Sequence, residues 1–381
     1  MHCSYYADER CRSCTWLPRP YQEQLREKEA HCRALLRDHP GLQWLPPVPS
    51  PVWGFRNKAK MVVGGTVEEP TLGILDAEYA GIDLRACPLY PPALTAAFDP
   101  IAGFLRRARV VPYHVGSRCG EAKFVLATLA EDSGELMLRF VLRSTEAVER
   151  MQRQLPWLQS ELPGLRVLSA NIQPVPMAVL EGERELLLID ADSLTMRING
   201  LPLHLRPRSF FQTNSNVAAA LYRQARDWVA ESAPASVWDL YCGVGGFALH
   251  CAGGGRAVTG VESSAEAVAS AERSRGELGL AADGPSPVHF VVADALEFVR
   301  AAPRFPELVV VNPPRRGIGA ELAQRLDRSA VRRVLYSSCN ATSLAADLAA
   351  MPQLRPTRAR LLDMFPHTPH HEVLVELQRA G

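Results

Sequence analysis

The chain of 381 residues is long enough for two domains, and its 47% hydrophobic and 22% charged content is that of a globular protein with a real core. A formal net charge of +1 excludes a global field that would gather nucleic acid, so any such partner must be held by local basic stripes. No apolar run reaches the ~18–20 residues of a membrane span, and the opening M-H-C-S-Y-Y-A-D-E-R lacks a basic or apolar leader, which points to the cytoplasm and away from the membrane.

In chain order the first feature is a cluster of thiols. Nine cysteines are an odd number, and a disulfide framework is not expected in a reducing compartment. Cys3, Cys11 and Cys14 form C-x7-C-x2-C, and Cys87 follows in A-C-P-L-Y. Four thiolates suit tetrahedral zinc or a [4Fe–4S] cluster, and spacing alone leaves both open. The proline-rich stretch Pro40 to Pro51 reads as extended loop. In F-R-N-K-A-K, Arg56, Lys58 and Lys60 alternate along a strand-like run and share one face, with Phe55 beside them. Cations and an aromatic in that order could hold phosphates and stack on a base. Residues 123–129 and 135–143 read as paired strands joined by E-D-S-G, and 146–155 as a helix. With two further strand-like runs, the part before residue 206 is α+β and rich in antiparallel strands, its cysteine-bearing portion being 1–92 and its strand-rich portion 93–205.

The pattern changes after residue 214. Apolar residues at 217, 221, 225 and 228 mark a helix. Strands are expected at 237–241, 257–262, 288–293, 307–311 and 332–337 with helices between them, and at 358–364 and 372–377 without one. That alternation predicts an α/β domain over 206–381, a doubly wound, mostly parallel sheet of seven strands ending in antiparallel pairing.

Five strand ends carry chemistry. D-L-Y-C-G-V-G-G-F follows the first strand, where Gly243 and Gly245 allow a tight turn against a ligand, and Glu262 ends the next strand, placed to accept ribose hydroxyls. The G-x-G-G spacing departs from the G-x-G-x-x-G of dinucleotide sites and resembles the first motif of class I S-adenosylmethionine-dependent methyltransferases. Asp294, after the third strand, matches a position that contacts adenine in that class. N-P-P-R-R-G follows the fourth strand, with Arg315 facing phosphates or base edges. Cys339, in Y-S-S-C-N, ends the fifth. An isolated cysteine reads as core, but a thiolate at this edge could add to carbon 6 of a pyrimidine and activate carbon 5 towards a methyl group. Glu372, where a loop enters the last strand, is the candidate base for the carbon-5 proton.

Q-T-N, D-L-Y-C-G-V-G-G-F, N-P-P-R-R-G, Y-S-S-C-N and F-P-H-T-x-H-x-E together resemble the RNA uracil-C5 methyltransferase family along the whole chain. The resemblance implies S-adenosylmethionine contacts at Gln212, Tyr241, Glu262 and Asn312, nucleophile Cys339, base Glu372 and a [4Fe–4S] cluster on the four cysteines. It further implies 23S ribosomal RNA as partner, with uridine 747 as target, and no protein partner is evident. Asn312 departs from the aspartate of many relatives, and Tyr241 from a phenylalanine also seen there. An RNA cytosine-C5 enzyme is disfavoured because Arg315 stands where those enzymes carry a second cysteine. A non-catalytic iron–sulfur RNA-binding protein would be expected to lose Cys339 or Glu372.

Overall fold

The computed structural model describes residues 3–175 and 180–380. The chain divides into two compact units, one formed by Ser13–Val52 and the chain from Arg197 onward, the other by the chain up to Arg12 and Trp53–Met196. The sequence division is expected at 205/206, and the compact units part between Met196 and Arg197. Ser13–Val52, expected in the first part, belongs with the later residues.

That unit is built on an eight-stranded sheet. Its centre is parallel, in the order Val288–Val292, Ala257–Glu262, Ser236–Leu240, Leu308–Val311, Arg333–Ser338. Leu308–Val311 at the centre is apolar and buried throughout, as burial on both faces requires, whereas the edge strand Val288–Val292 is partly exposed. Glu372–Arg379 then pairs antiparallel with both Arg333–Ser338 and Leu354–Leu362. All seven expected strands are present. The eighth, Gln43–Val48, pairs parallel with Leu354–Leu362 inside the stretch read as loop. Pro46 and Pro47 hid it. An edge strand tolerates them, and the register shifts between Leu45 and Val48 where they fall.

The order reverses between Ser236–Leu240 and Leu308–Val311, which makes the carboxyl ends of those two strands the crevice where doubly wound folds bind ligands. The helix Ser215–Ser232 buries Val217, Leu221, Ala225 and Trp228, the expected stripe, and Asn214 caps it by accepting the Val217 N–H.

The other unit holds a seven-stranded sheet in the order Gly81–Asp83, Pro70–Leu75, Lys58–Gly65, Ala122–Leu129, Leu136–Leu142, Leu165–Ile172, Arg184–Leu187. Only Leu136–Leu142 with Leu165–Ile172 is parallel, so the antiparallel preponderance is as expected. The helix expected at 146–155 is two short ones, Val148–Arg153 and Leu155–Glu161, because Pro156 has no N–H to donate and suits a first turn. Pro92–Arg107 packs its apolar face on the sheet through Phe98, Ile101 and Phe104. Among the described residues no helix is long and apolar enough to cross a membrane.

Candidate active site

The glycine-rich turn stands at the reversal point. Tyr241, Gly243 and Gly245 have φ of 65°, 54° and 86°, left-handed values that favour glycine at the latter two. A Cβ on Gly245 would lie 2.9 Å from the Phe290 ring, and one on Gly246 only 2.5 Å from the Tyr222 hydroxyl. The Glu262 carboxylate holds the turn from the neighbouring strand, Oε2 accepting the Gly243 N–H at 3.2 Å and Oε1 the Ser264 N–H at 2.9 Å. Beneath it, Asp239 is fully buried. One oxygen accepts the Ala248 N–H at 2.8 Å, and Oδ1 has no hydrogen-bond partner among the described residues. Burial, with the Glu262 charge adding, pushes its carboxyl up to about 8. An acid left this incomplete beside a glycine cradle fits a cationic ligand in the crevice.

Of the other sequence-derived ligand residues, Tyr241 and Asn312 directly follow the two strands that flank the crevice. Asn312 directly follows Leu308–Val311, and its N–H reaches the Leu240 carbonyl at 3.4 Å. Gln212 is buried just ahead of the helix Ser215–Ser232. Tyr241 is half-buried and close enough to Asp294 for that charge to raise its pKa, after desolvation. Asp294 Oδ1 caps the helix Ala295–Ala301 through the Leu296 and Glu297 N–H groups, a use its motif position did not announce.

Cys339 lies in the turn between the strand Arg333–Ser338 and the helix Ala341–Ala349, half-buried. Partial burial raises its thiol pKa, the Glu372 charge raises it further, and the Arg315 guanidinium opposes both. The structure therefore brings together the two residues that the sequence separates by a whole helix and strand. Asn340 Nδ2 and Ser343 Oγ both donate to the Arg315 carbonyl, at 2.9 and 3.0 Å, tying the loop after Pro314 to the thiol's turn. Glu372 is 2% exposed, and burial pushes its carboxyl up to about 7 against a hydrogen bond donated by Ser337 Oγ. A carboxyl titrating there can take and give a proton at neutral pH. Ser337 was missed in the sequence. Ser337 lies on the last strand before the Cys339 turn and pairs in register with Leu374, two residues from Glu372, a neighbourhood that only the antiparallel pairing reveals.

The expected RNA stripe is only partly offered. Lys60 is exposed and Arg56 partly so, but burial disfavours the charged form of Lys58, and Phe55 is 2% exposed, which withdraws its ring from stacking on a base. Cys3, Cys11 and Cys87 belong to one unit and Cys14 to the other. Burial pushes the Cys87 thiol up to about 11, with the Cys3 and Cys11 charges contributing. Among the described residues no group of three or more His, Cys, Asp or Glu side chains is arranged to hold a metal ion.

Known proteins share the sequence and the fold of this chain. Residues 183–380 match the pattern of the tRNA (uracil-5-)-methyltransferase family. The 23S rRNA (uracil(747)-C(5))-methyltransferase RlmC of Pectobacterium atrosepticum is 51% identical, and that of Halothiobacillus neapolitanus 54%, each over 100% of both chains. Among solved structures, the tRNA (uracil-54, C5)-methyltransferase of Pyrococcus abyssi, in complex with S-adenosyl-L-homocysteine, has the same fold at a TM-score of 0.79 and 23% identity, covering 96% of this chain and 85% of its own. The chain belongs to the tRNA (uracil-5-)-methyltransferase family.

Proposed function

We propose that the protein methylates carbon 5 of a uridine in 23S ribosomal RNA, uridine 747 by its likeness to relatives named for that position. The observation that carries the reading is the meeting of Cys339, Glu372 and Arg315 at the carboxyl edge of the sheet, with the carboxyl tuned to about 7. S-adenosylmethionine would be held by Gln212, Tyr241, Gly243, Gly245, Glu262, Asp294 and Asn312 and would supply an electrophilic methyl group. The Cys339 thiolate, favoured by Arg315, adds to carbon 6 of the uracil and moves the electron pair towards carbon 5, which takes the methyl. The Glu372 carboxylate then removes the carbon-5 proton, the 5,6 double bond re-forms, and the Cys339 sulfur leaves as thiolate. Atoms and charge balance without any redox step. Arg315, Arg56 and Lys60 are the cations offered to RNA phosphates, and a ribosomal RNA substrate places the reaction in the cytoplasm.

The chemistry of the four cysteines supports a [4Fe–4S] cluster. Soft thiolates suit iron–sulfur centres, and the Cys3 and Cys11 charges reach Cys87, where they help to raise its thiol. Cys14, three positions after Cys11 in the chain, is the fourth thiolate of the set, and since methyl transfer needs no electrons the cluster's role is structural or RNA-positioning.

RNA containing 5-fluorouridine tests the mechanism, because fluorine at carbon 5 cannot be removed as a proton. The wild-type protein is expected to form a link to this RNA that survives denaturing electrophoresis, and Cys339→Ala to form none. An adduct with Cys339→Ala would sink the assignment. Iron and sulfide analysis of anaerobically purified protein tests the cluster, and zinc in their place would refute it.

A further inference from the structure

The helix Tyr21–Leu35 carries Gln24, Lys28 and Cys32 at intervals of four residues, which stacks them on one face, and none is more than 1% exposed. Burying an amide and an ammonium group costs free energy unless each is bonded. All three side chains reach the segment Asp363–His371, which leads directly into Glu372. Gln24 Oε1 accepts the His367 N–H at 2.8 Å, and its Nε2 faces His367 Nδ1 at 3.4 Å. Lys28 Nζ donates to Asp363 Oδ1 at 2.6 Å and to the Phe365 carbonyl at 3.0 Å, with both charged side chains fully buried.

Cys32 Sγ lies 3.1 Å from His371 Nε2, while His371 Nδ1 lies 3.2 Å from the Pro369 carbonyl. A carbonyl can only accept, so Nδ1 bears the proton, Nε2 accepts, and the Cys32 thiol donates. Burial keeps the ring neutral and the thiol protonated, as this arrangement needs.

The clamped segment is not relaxed on its own. His367 has φ of 65°, a left-handed value that a side-chain-bearing residue keeps when its surroundings hold it there. The segment also reaches the thiol. His370 Nδ1 accepts a hydrogen bond from the Arg315 guanidinium at 3.0 Å, and Arg315 is the cation that favours the Cys339 thiolate.

We propose that Gln24, Lys28 and Cys32 are positioning residues for catalysis, fixing the segment Asp363–His371 so that Glu372 and Arg315 are held about Cys339. The proposal rests on the mechanism given above. Its test separates proton removal from methyl transfer in single turnovers of the full-length protein. The substrate is a 23S ribosomal RNA fragment spanning position 747, labelled with tritium at carbon 5 of its uridines, with S-adenosylmethionine labelled in the methyl group. In the wild type, tritium release keeps step with methyl incorporation.

Cys32→Ala removes the donor to His371 and is expected to slow tritium release roughly 10- to 100-fold, the effect of a displacement near 1 Å. Methylated adduct should accumulate while S-adenosylhomocysteine affinity stays within about twofold of wild type. Cys32→Ser keeps a donor and should restore the coupling. The double variant Lys28→Met with Asp363→Asn removes both buried charges together and should show the same lag. Tritium release in step with methylation in both Cys32→Ala and the double variant would overturn the clamp, as would a parallel fall of every step with thermal stability. A wild type that methylates but forms no covalent adduct would overturn the mechanism, and the clamp with it.

Discussion

Ser337→Ala probes how the base is tuned. Burial of Glu372 raises its carboxyl to about 7, and the hydrogen bond from Ser337 Oγ pulls the other way because it favours the ionised form. Glu372 accepts a proton only when deprotonated, so its step should quicken as pH rises through about 7 and level off above. A hydrogen bond to a charged acceptor contributes about 1.5–3 kcal/mol, and roughly half of that distinguishes carboxylate from carboxylic acid. At about 1.4 kcal/mol per pKa unit, losing the Ser337 donor should raise the Glu372 value by about one unit. Proton removal at pH 7 should then fall about five-fold, with the loss recovered by about pH 9. The assay is tritium release from a preformed methylated adduct across that pH range. In the adduct Cys339 is bonded to carbon and cannot titrate, so the profile belongs to Glu372 rather than to a coupled pair. An unmoved acid limb, or a uniform loss at every pH, would refute the tuning.

The same shift has a consequence for stability. A carboxyl raised from its ordinary 4.5 to about 7 contributes stability in full below 4.5 and loses it as pH rises through about 7, since the fold must then ionise a buried group. Glu372→Gln should therefore gain on wild type between pH 5 and pH 8.5 by up to about 3 kcal/mol in denaturant titrations, and equal stabilities at both pH values would count against it. Gly246→Ala would set a Cβ 2.5 Å from the Tyr222 hydroxyl and 2.6 Å from its ring carbon Cζ, in a ring that is 6% exposed and packed edge-on against Phe247. Overpacking of this kind costs about 1–3 kcal/mol, and the displaced turn should weaken S-adenosylhomocysteine binding by about 10-fold or more in calorimetry. Unchanged affinity would show that the turn is not held by Tyr222.

The parts of the fold readable in advance are those whose signal is local. Leu308–Val311 is an unbroken apolar run because a central parallel strand is buried on both faces, and the spacing of the strands by helices implies the winding. Gln43–Val48 escaped because its ladder partner is more than three hundred positions away and its prolines read as loop. Phe55 shows a different failure. The alternation that puts Arg56, Lys58 and Lys60 on one face necessarily puts Phe55, Asn57 and Ala59 on the other, and it is that second face that is buried. Period two was read correctly for the cations and not carried one residue back to the ring.

The site divides in the same way. Cys339 and Glu372 could be named because each stands at a strand end, where a doubly wound sheet gathers its chemistry. What makes them a pair could not be named. The carboxyl rises to about 7 because the sheet closes around it, and the segment that aims it is bonded to Lys28, 335 positions from Asp363. In the sequence nothing ties Gln24, Lys28 and Cys32 to residues more than three hundred positions away. Only the fold shows that this face is turned inward, onto the segment carrying the base. A polar stripe of period four that is buried rather than solvated is thus evidence about the segment it holds, and here that segment is the approach to Glu372.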